Sequence, residues 1–353
     1  MADAPHTPHT RRQPAALLPG VALLLAATAA LAACGGANGA RGAAPTVEEV
    51  KRQNKSRPPV AAQGEAARAP YGPPARVAAL EDEAVRESSG LAASRRNPGL
   101  FWTHNDSGAV PLLHAFDRAG RRRGVWRLSG AAIIDWEDMA AGPGPQPGRQ
   151  YLYVGDIGDN QRRRAEVVVY RVAEPEIAPA DAQTGARAPR ESEPAEALRL
   201  RYPDGAHDAE ALLVHPSNGD LYVVTKEIGG RAAGVYKLAA PPARAPSVNT
   251  LKRVGEVRLP VLFGGLVTGG DISPDGRRVV LCDYTGGYEF TLPGGRAAVE
   301  FDGVWRQAPT TIDLGERRQG ESVCYAADGE SIFATSEKRP TPLIEVRREA
   351  LKK

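Results

Sequence analysis

Glu137, Glu210 and Glu321 each stand two residues ahead of an apolar residue, namely Met139, Leu212 and Val323. Ser89 and Gly270 hold the same place ahead of Leu91 and Ile272. If these five segments are equivalent strands lining one channel, three carboxylates and a hydroxyl converge on a shared axis. Like charges brought that close cannot all stay ionised unless a cation compensates them. Oxygen donors without a thiolate or histidine cluster favour Ca²⁺ over zinc. An axial Ca²⁺ on Ser89, Glu137, Glu210 and Glu321 is therefore the first expectation. The alternative for the same residues is bonding to neighbouring backbone N–H groups and to channel water.

A second polar set closes the next apolar run of each segment. It comprises His104, Asn105 and Asp106, then Asp156, Asp159 and Asn160, then Lys226 and Glu227, Asp283 and Tyr284, and finally Glu337 and Lys338. In an antiparallel meander the start of one strand and the end of the next share a rim, so both sets are expected on one acid-rich face. A histidine beside carboxylates suits general-base chemistry near neutral pH. That makes His104, Asp106 and Asp156 the catalytic candidates. Asn105, Asp159, Asn160, Lys226, Glu227, Asp283, Glu337 and Lys338 are the ligand-binding candidates. The competing reading of His104 is a residue that only braces a loop. The Gly155–Asn160 loop is followed by Arg162, Arg163 and Arg164, and arginine forks bind phosphate bidentately; a solvated basic tip is the plain alternative. His207 beside Asp208 is a second base candidate. No Ser-His-Asp elbow, P-loop, dinucleotide fingerprint or paired CxxC occurs.

The elements that must position these residues form a repeat. Five segments share one order: a small or acidic residue, an apolar strand, a turn, a second strand and a third. The turns are Asn97-Pro98-Gly99, Pro143-Gly144, Ser217-Asn218-Gly219, Pro274-Asp275-Gly276 and Asp328-Gly329. Repeats of this length indicate a propeller or solenoid. Fourth strands follow four of the units, and the fifth unit runs out of chain after its third strand. Arg76 to Leu80 is a spare strand ahead of the first unit, of the kind that closes a propeller ring and leaves no open edge. The expected fold is an all-β, five-bladed β-propeller over residues 75–353 with an N-terminal closing strand. A six-bladed ring is the alternative if the long second or third interval hides a blade, against which the loop composition of Ala178 to Pro194 argues.

At the level of short motifs and spacing the repeat resembles the calcium-activated nucleotidases, or apyrases, of the soluble and blood-feeding-insect type. The similar positions are Ser89, Glu137, Glu210, Thr268-Gly269-Gly270 and Glu321, with Trp136-Glu137-Asp138-Met139, Tyr151 to Gly155 and Asn105-Asp106-Ser107-Gly108. The resemblance implies a five-bladed ring with one Ca²⁺ on its axis. Gly270 stands where that family has a serine, so it implies Thr268 or a backbone carbonyl as the fourth-blade ligand. The family's extended nucleotide-binding loops are not found. The pattern THNDSG, DWEDMA and GDIGDN looks closer still to a family of uncharacterised exported bacterial propellers. Two functions follow as expectations. One is a propeller that binds a small ligand or partner on its acidic rim; the other is a Ca²⁺-dependent hydrolase of nucleotides or other phosphate esters.

The chain of 353 residues is 42% hydrophobic and 25% charged, with a formal net charge of +3. Those values fit a globular protein and exclude collagen, a coiled coil and a polytopic membrane protein. The excess of 45 Lys+Arg over 42 Asp+Glu is too small to argue for nucleic acid. Arg11 and Arg12 precede an apolar stretch from Ala15 to Ala33 that ends at Cys34. This is the form of a secretory signal over residues 1–33, and Leu31-Ala32-Ala33-Cys34 looks like a bacterial lipobox with Cys34 as the lipidated residue. Residues 34–74 are too poor in apolar side chains to offset their ordering entropy and read as a tether. The expected location is the bacterial cell envelope, with the protein lipid-anchored at the outer membrane, on its periplasmic or surface face. A monomer is expected, with a phosphate or glycan as the small-molecule ligand. Cys282 and Cys324 are left as either a disulfide or two buried thiols.

Overall fold

The structure, a computed structural model, describes residues 71–349 apart from positions 107, 109, 179–187, 242–246, 262–263 and 295–297. The signal segment, Cys34 and most of the tether lie outside the described residues.

The described strands form five antiparallel-based sheets that follow one another along the chain. The innermost strand of each is Ser88–Ala93, Trp136–Pro143, Ala209–Val214, Gly269–Ile272 and Gln319–Tyr325. Each inner strand packs against the inner strands of the blades before and after it, and the last packs against the first. The result is a five-bladed β-propeller, and the six-bladed alternative is set aside. Ala75–Ala79 pairs antiparallel with Pro342–Arg347, the third strand of the fifth blade, so the N-terminal strand closes the ring as its position in the sequence required.

Inner strands are buried along both faces because each blade is covered on two sides. In the third blade Ala211 and Leu213 belong to the core shared with the fourth blade. Their neighbours Leu212 and Val214 belong to the core shared with the second. Successive residues of a strand point to opposite faces, so one run such as Ala209–Val214 feeds two cores at once. Five clusters of buried apolar side chains fill the five interfaces in this manner. Continuous apolar runs, rather than alternating ones, are what such doubly covered strands need.

Two features outside the repeat were not legible. Arg190–Glu191 and Asn249–Thr250 add short parallel edges to the outer strands of the first and second blades. A 3-10 helix, Ala298–Arg306, inserts Phe301, Val304 and Trp305 into the core between the third and fourth blades. Among the described residues no helix is long and apolar enough to cross a membrane.

Candidate functional site

The polar start of the inner strands is built on irregular backbone. In four blades the inner strand carries an extra residue relative to its neighbour: between Ser88 and Leu91, Trp136 and Met139, Ala209 and Ala211, and Gly320 and Ser322. A bulge bends its strand and re-aims a side chain. Ser89, Glu137, Glu210 and Glu321 all lie inside these bulges, and all are buried. The fourth blade differs, with a regular ladder from Gly269 to Ile272. There Gly270 donates its N–H to Asp138 Oδ2 at 3.1 Å, and a Cβ on it would lie 2.6 Å from Leu281 Cδ2. Thr268 Oγ1 donates to Gly320 O at 3.1 Å. The fourth position thus offers no carboxylate to a central ion.

Below the bulges two buried acids tie blades together. Asp138 Oδ2 accepts from Leu212 N at 3.0 Å as well as from Gly270 N, linking the second blade to the third and fourth. Asp271 Oδ2 accepts from Tyr325 N at 2.9 Å. Burial raises Asp271 to about 6. Both acids serve as staples between blades.

The carboxylates above them meet a cation from the chain itself. Lys226 Nζ is ion-paired with Glu210 Oε1 and lies 5.2 Å from the centre of the Tyr284 ring. Burial alone would lower the Lys226 ammonium, but Glu210, Tyr284, Glu321 and Glu137 together hold it well above its ordinary value. Glu210 is raised by burial to about 7 although Lys226 pulls it down. Burial and the nearby Glu210 push both Glu137 and Glu321 well above the usual carboxylate range. Lys226 reaches this position because it shares strand parity with Tyr222 and Val224, which face the fourth blade.

Among the described residues one group of three acids converges at a place open to solvent. Asp106, at the end of the first blade's second strand, and Asp135 and Glu137, at the start of the second blade, bring one oxygen each within 4.8 Å of one another. Asp106 and Asp135 are half-buried and Glu137 is buried. Burial, then Glu337 and Asp135, raise Asp106 to about 7, and burial followed by Asp208 raises Asp135. Gly158 backs directly onto the pair: a Cβ there would lie 2.3 Å from Glu137 Oε1 and 2.5 Å from Asp135 Oδ2. The second glycine of the Gly155–Asn160 loop is therefore needed for close approach to two carboxylates. Glu337, raised to about 7 by burial and by Glu87 and Glu210, extends the acidic patch toward the fifth blade.

Several of the expected site residues turn out to be occupied. His104 shares the parity of Trp102 and faces the core between the first two blades. It is fully buried, and its ring meets Trp136 edge-on at 5.3 Å. Its Nδ1 contacts Asn105 O at 3.0 Å, and burial lowers it to about 4. It is a neutral core histidine, not a base on the rim. Asn105 accepts from Arg86 N and Glu87 N and donates to Ala84 O, so its amide braces a loop. Asp156 is fully buried against Arg164 at 2.6 Å and accepts from Ile134 N; it positions the strand start that carries Asp135. Asp283 accepts from Thr285 N, Gly286 N and Tyr288 OH within its own turn. Asp159 accepts from Arg164 N, and Glu227 holds Arg162 and Arg231. His207 contacts Asp204 and Tyr236, both at 3.0 Å, outside the acid group. Asn160 and Lys338 are exposed. Asp135 was missed as a ligand candidate, although three acids in the four residues Asp135 to Asp138 were the available signal. Cys282 and Cys324 are separate, buried thiols.

Among the described residues the exposed large apolar side chains are Val110, Ile134 and Ile228. All three sit on loops of the rim that carries the acids.

No family model and no curated protein matches the sequence. Solved structures of similar shape include a chain of Kuenenia stuttgartiensis hydrazine synthase, at 12% identity and a TM-score of 0.39, covering 77% of this chain and 98% of that one. A chain of a nidogen/laminin complex is 13% identical with a TM-score of 0.38, covering 71% of this chain and 72% of that one. The Dos1 propeller is 10% identical with a TM-score of 0.34, covering 75% and 69%.

Proposed function

We propose that this chain is a ligand-binding propeller whose acidic rim takes a divalent cation, Ca²⁺ by donor chemistry, at Asp106, Asp135 and Glu137. The observation that carries this reading is the convergence of those three oxygens within 4.8 Å, with two of the residues reachable from solvent. Only carboxylate oxygens are present, which suits a hard cation. On the axis Glu210 is already ion-paired with Lys226, so this reading puts the cation at the rim. A cation at the rim would hold a ligand's oxygen atoms. Val110, Ile134 and Ile228 supply apolar contact on the same rim. In this reading the protein is a lipid-anchored component of the bacterial cell envelope, which the lipobox-like Leu31-Ala32-Ala33-Cys34 supports.

Thermal unfolding with and without Ca²⁺ tests the site. A ligand at a hundred times its Kd stabilises the folded state by about 2.7 kcal/mol, a readily measured rise in Tm. The Asp106→Asn/Asp135→Asn double variant should fold and lose that rise. A wild-type melting curve indifferent to Ca²⁺ and to chelator would reject the cation. Replacing Cys34 with serine should move the protein from the membrane fraction to the soluble one.

A further inference from the structure

Between the fourth and fifth blades runs a groove of about 970 Å³ that the cation reading does not use. Its volume is that of a small-molecule site. Four basic side chains line it: Arg76 from the closing strand, Arg317 and Arg318 from the segment that leads into the fifth inner strand, and Lys338 after the fifth blade's second strand. Asp313 and Glu316 are the acids on its walls, and Asp313 already accepts from Gly315 N at 2.8 Å. The groove is thus cationic on a rim whose centre is acidic.

One of the basic groups, Arg317, is held in place by the backbone around it. Arg317 is buried and donates from Nη2 to Asp283 O at 3.2 Å and to Gly286 O at 3.4 Å. A Cβ on Gly320 would lie 2.4 Å from its Nη1, so the guanidinium packs flat against a bare Cα. Lys338 has φ of 69°, and Arg162 is the one other non-glycine residue with positive φ among the described residues. Strain of this kind persists where the surroundings over-determine it, and it clusters at functional sites. A fixed guanidinium loses little freedom on meeting a planar or tetrahedral oxyanion, and charge-assisted bonds to such groups are the strong ones.

We propose that this groove binds a small organic oxyanion, with Arg318 and Lys338 as its exposed contacts and Arg317 as its fixed wall. The groove shares no residue with the cation site; Tyr284, which lines it, has its ring beside Lys226, the partner of Glu210. A ligand of this class would reach from basic groove to acidic rim across one aromatic wall.

Calorimetric titration of the purified chain with inorganic phosphate, and separately with citrate, tests the proposal. Performed on protein stripped of divalent cations over a chelating resin, it is unaffected by failure of the cation site. Binding is expected, weaker at high salt, and reduced about tenfold or more in Arg318→Ala and in Lys338→Ala, each being the loss of one charged hydrogen bond. Both residues are exposed, so their variants should melt like the wild type. Arg253→Ala, on the outer strand of the third blade, should bind normally. Tighter phosphate than citrate assigns a phosphorylated ligand, and the reverse a polycarboxylate. No binding of either anion, or binding unchanged in both groove variants, overturns the proposal.

Discussion

Replacing Lys226 with methionine probes the electrostatic centre of the ring. Methionine keeps the length of the side chain and removes its charge. The Lys226 and Glu210 side chains are only 12% and 7% exposed, so the remaining carboxylates have little water to replace the ammonium. Removing one partner of a buried pair costs about 3–5 kcal/mol. For a domain of this size, each kcal/mol moves Tm by about 2–4 °C, so a loss on the order of 10 °C is expected near pH 8. The sign of the pH dependence follows from Glu210. Its folded value is raised to about 7 from 4.5, so the folded state binds more protons than the unfolded chain between those values, and stability falls as pH rises through them. Without Lys226 the carboxyl rises further, and the fall becomes steeper and continues to higher pH. The deficit of Lys226→Met should therefore shrink near pH 5, where Glu210 is protonated in both proteins. Differential scanning calorimetry across this range is the assay. A variant as stable as the wild type near pH 8, or a deficit that does not change with pH, would refute the idea that the ammonium permits these carboxylates to coexist.

Other expectations concern the surroundings of the site. Gly158→Ala should retain the fold but lose the thermal response to Ca²⁺, because its Cβ would occupy the space of Glu137 Oε1 and Asp135 Oδ2; calorimetry with and without the ion checks it. Cys282 and Cys324 should be inert to thiol reagents in the native protein and react fully in denaturant. Burial pushes the Cys282 thiol up to about 12 and Cys324 well above its ordinary value, and reactivity needs the thiolate.

The blades were legible because each inner strand is apolar on both faces and each ends at a glycine-bearing turn. Gly99, Gly219, Gly276 and Gly329 all adopt positive φ, the conformation those turn sequences announce. The closing strand was legible by elimination, as a spare strand facing a blade that lacked one. Side-chain direction at the rim was not. His104 and Asn105 are neighbours, and a single step of strand parity sends the first into the core beside Trp136. The bulges were hidden for a related reason: one extra residue at Glu210 or Glu321 alters alternation over too short a stretch to stand out. Lys226 read as a surface ligand residue because sequence gives its distance along the strand but not the reach of its side chain across the channel. The helix Ala298–Arg306 lies in the connection between the third and fourth strands of the fourth blade, where the repeat makes no demand.

The seam between Ala75–Ala79 and Pro342–Arg347 joins the first and last strands of the propeller, and it is non-covalent. Until the last strand has been synthesised, the first has no partner, and the final blade keeps a bare hydrogen-bonding edge. Bringing such distant segments together carries a loop-closure entropy cost. Two molecules caught at that stage each carry the edge and the strand that the other lacks. At high concentration they can trade these pieces and lock into exchanged pairs, so dilute refolding favours the single ring.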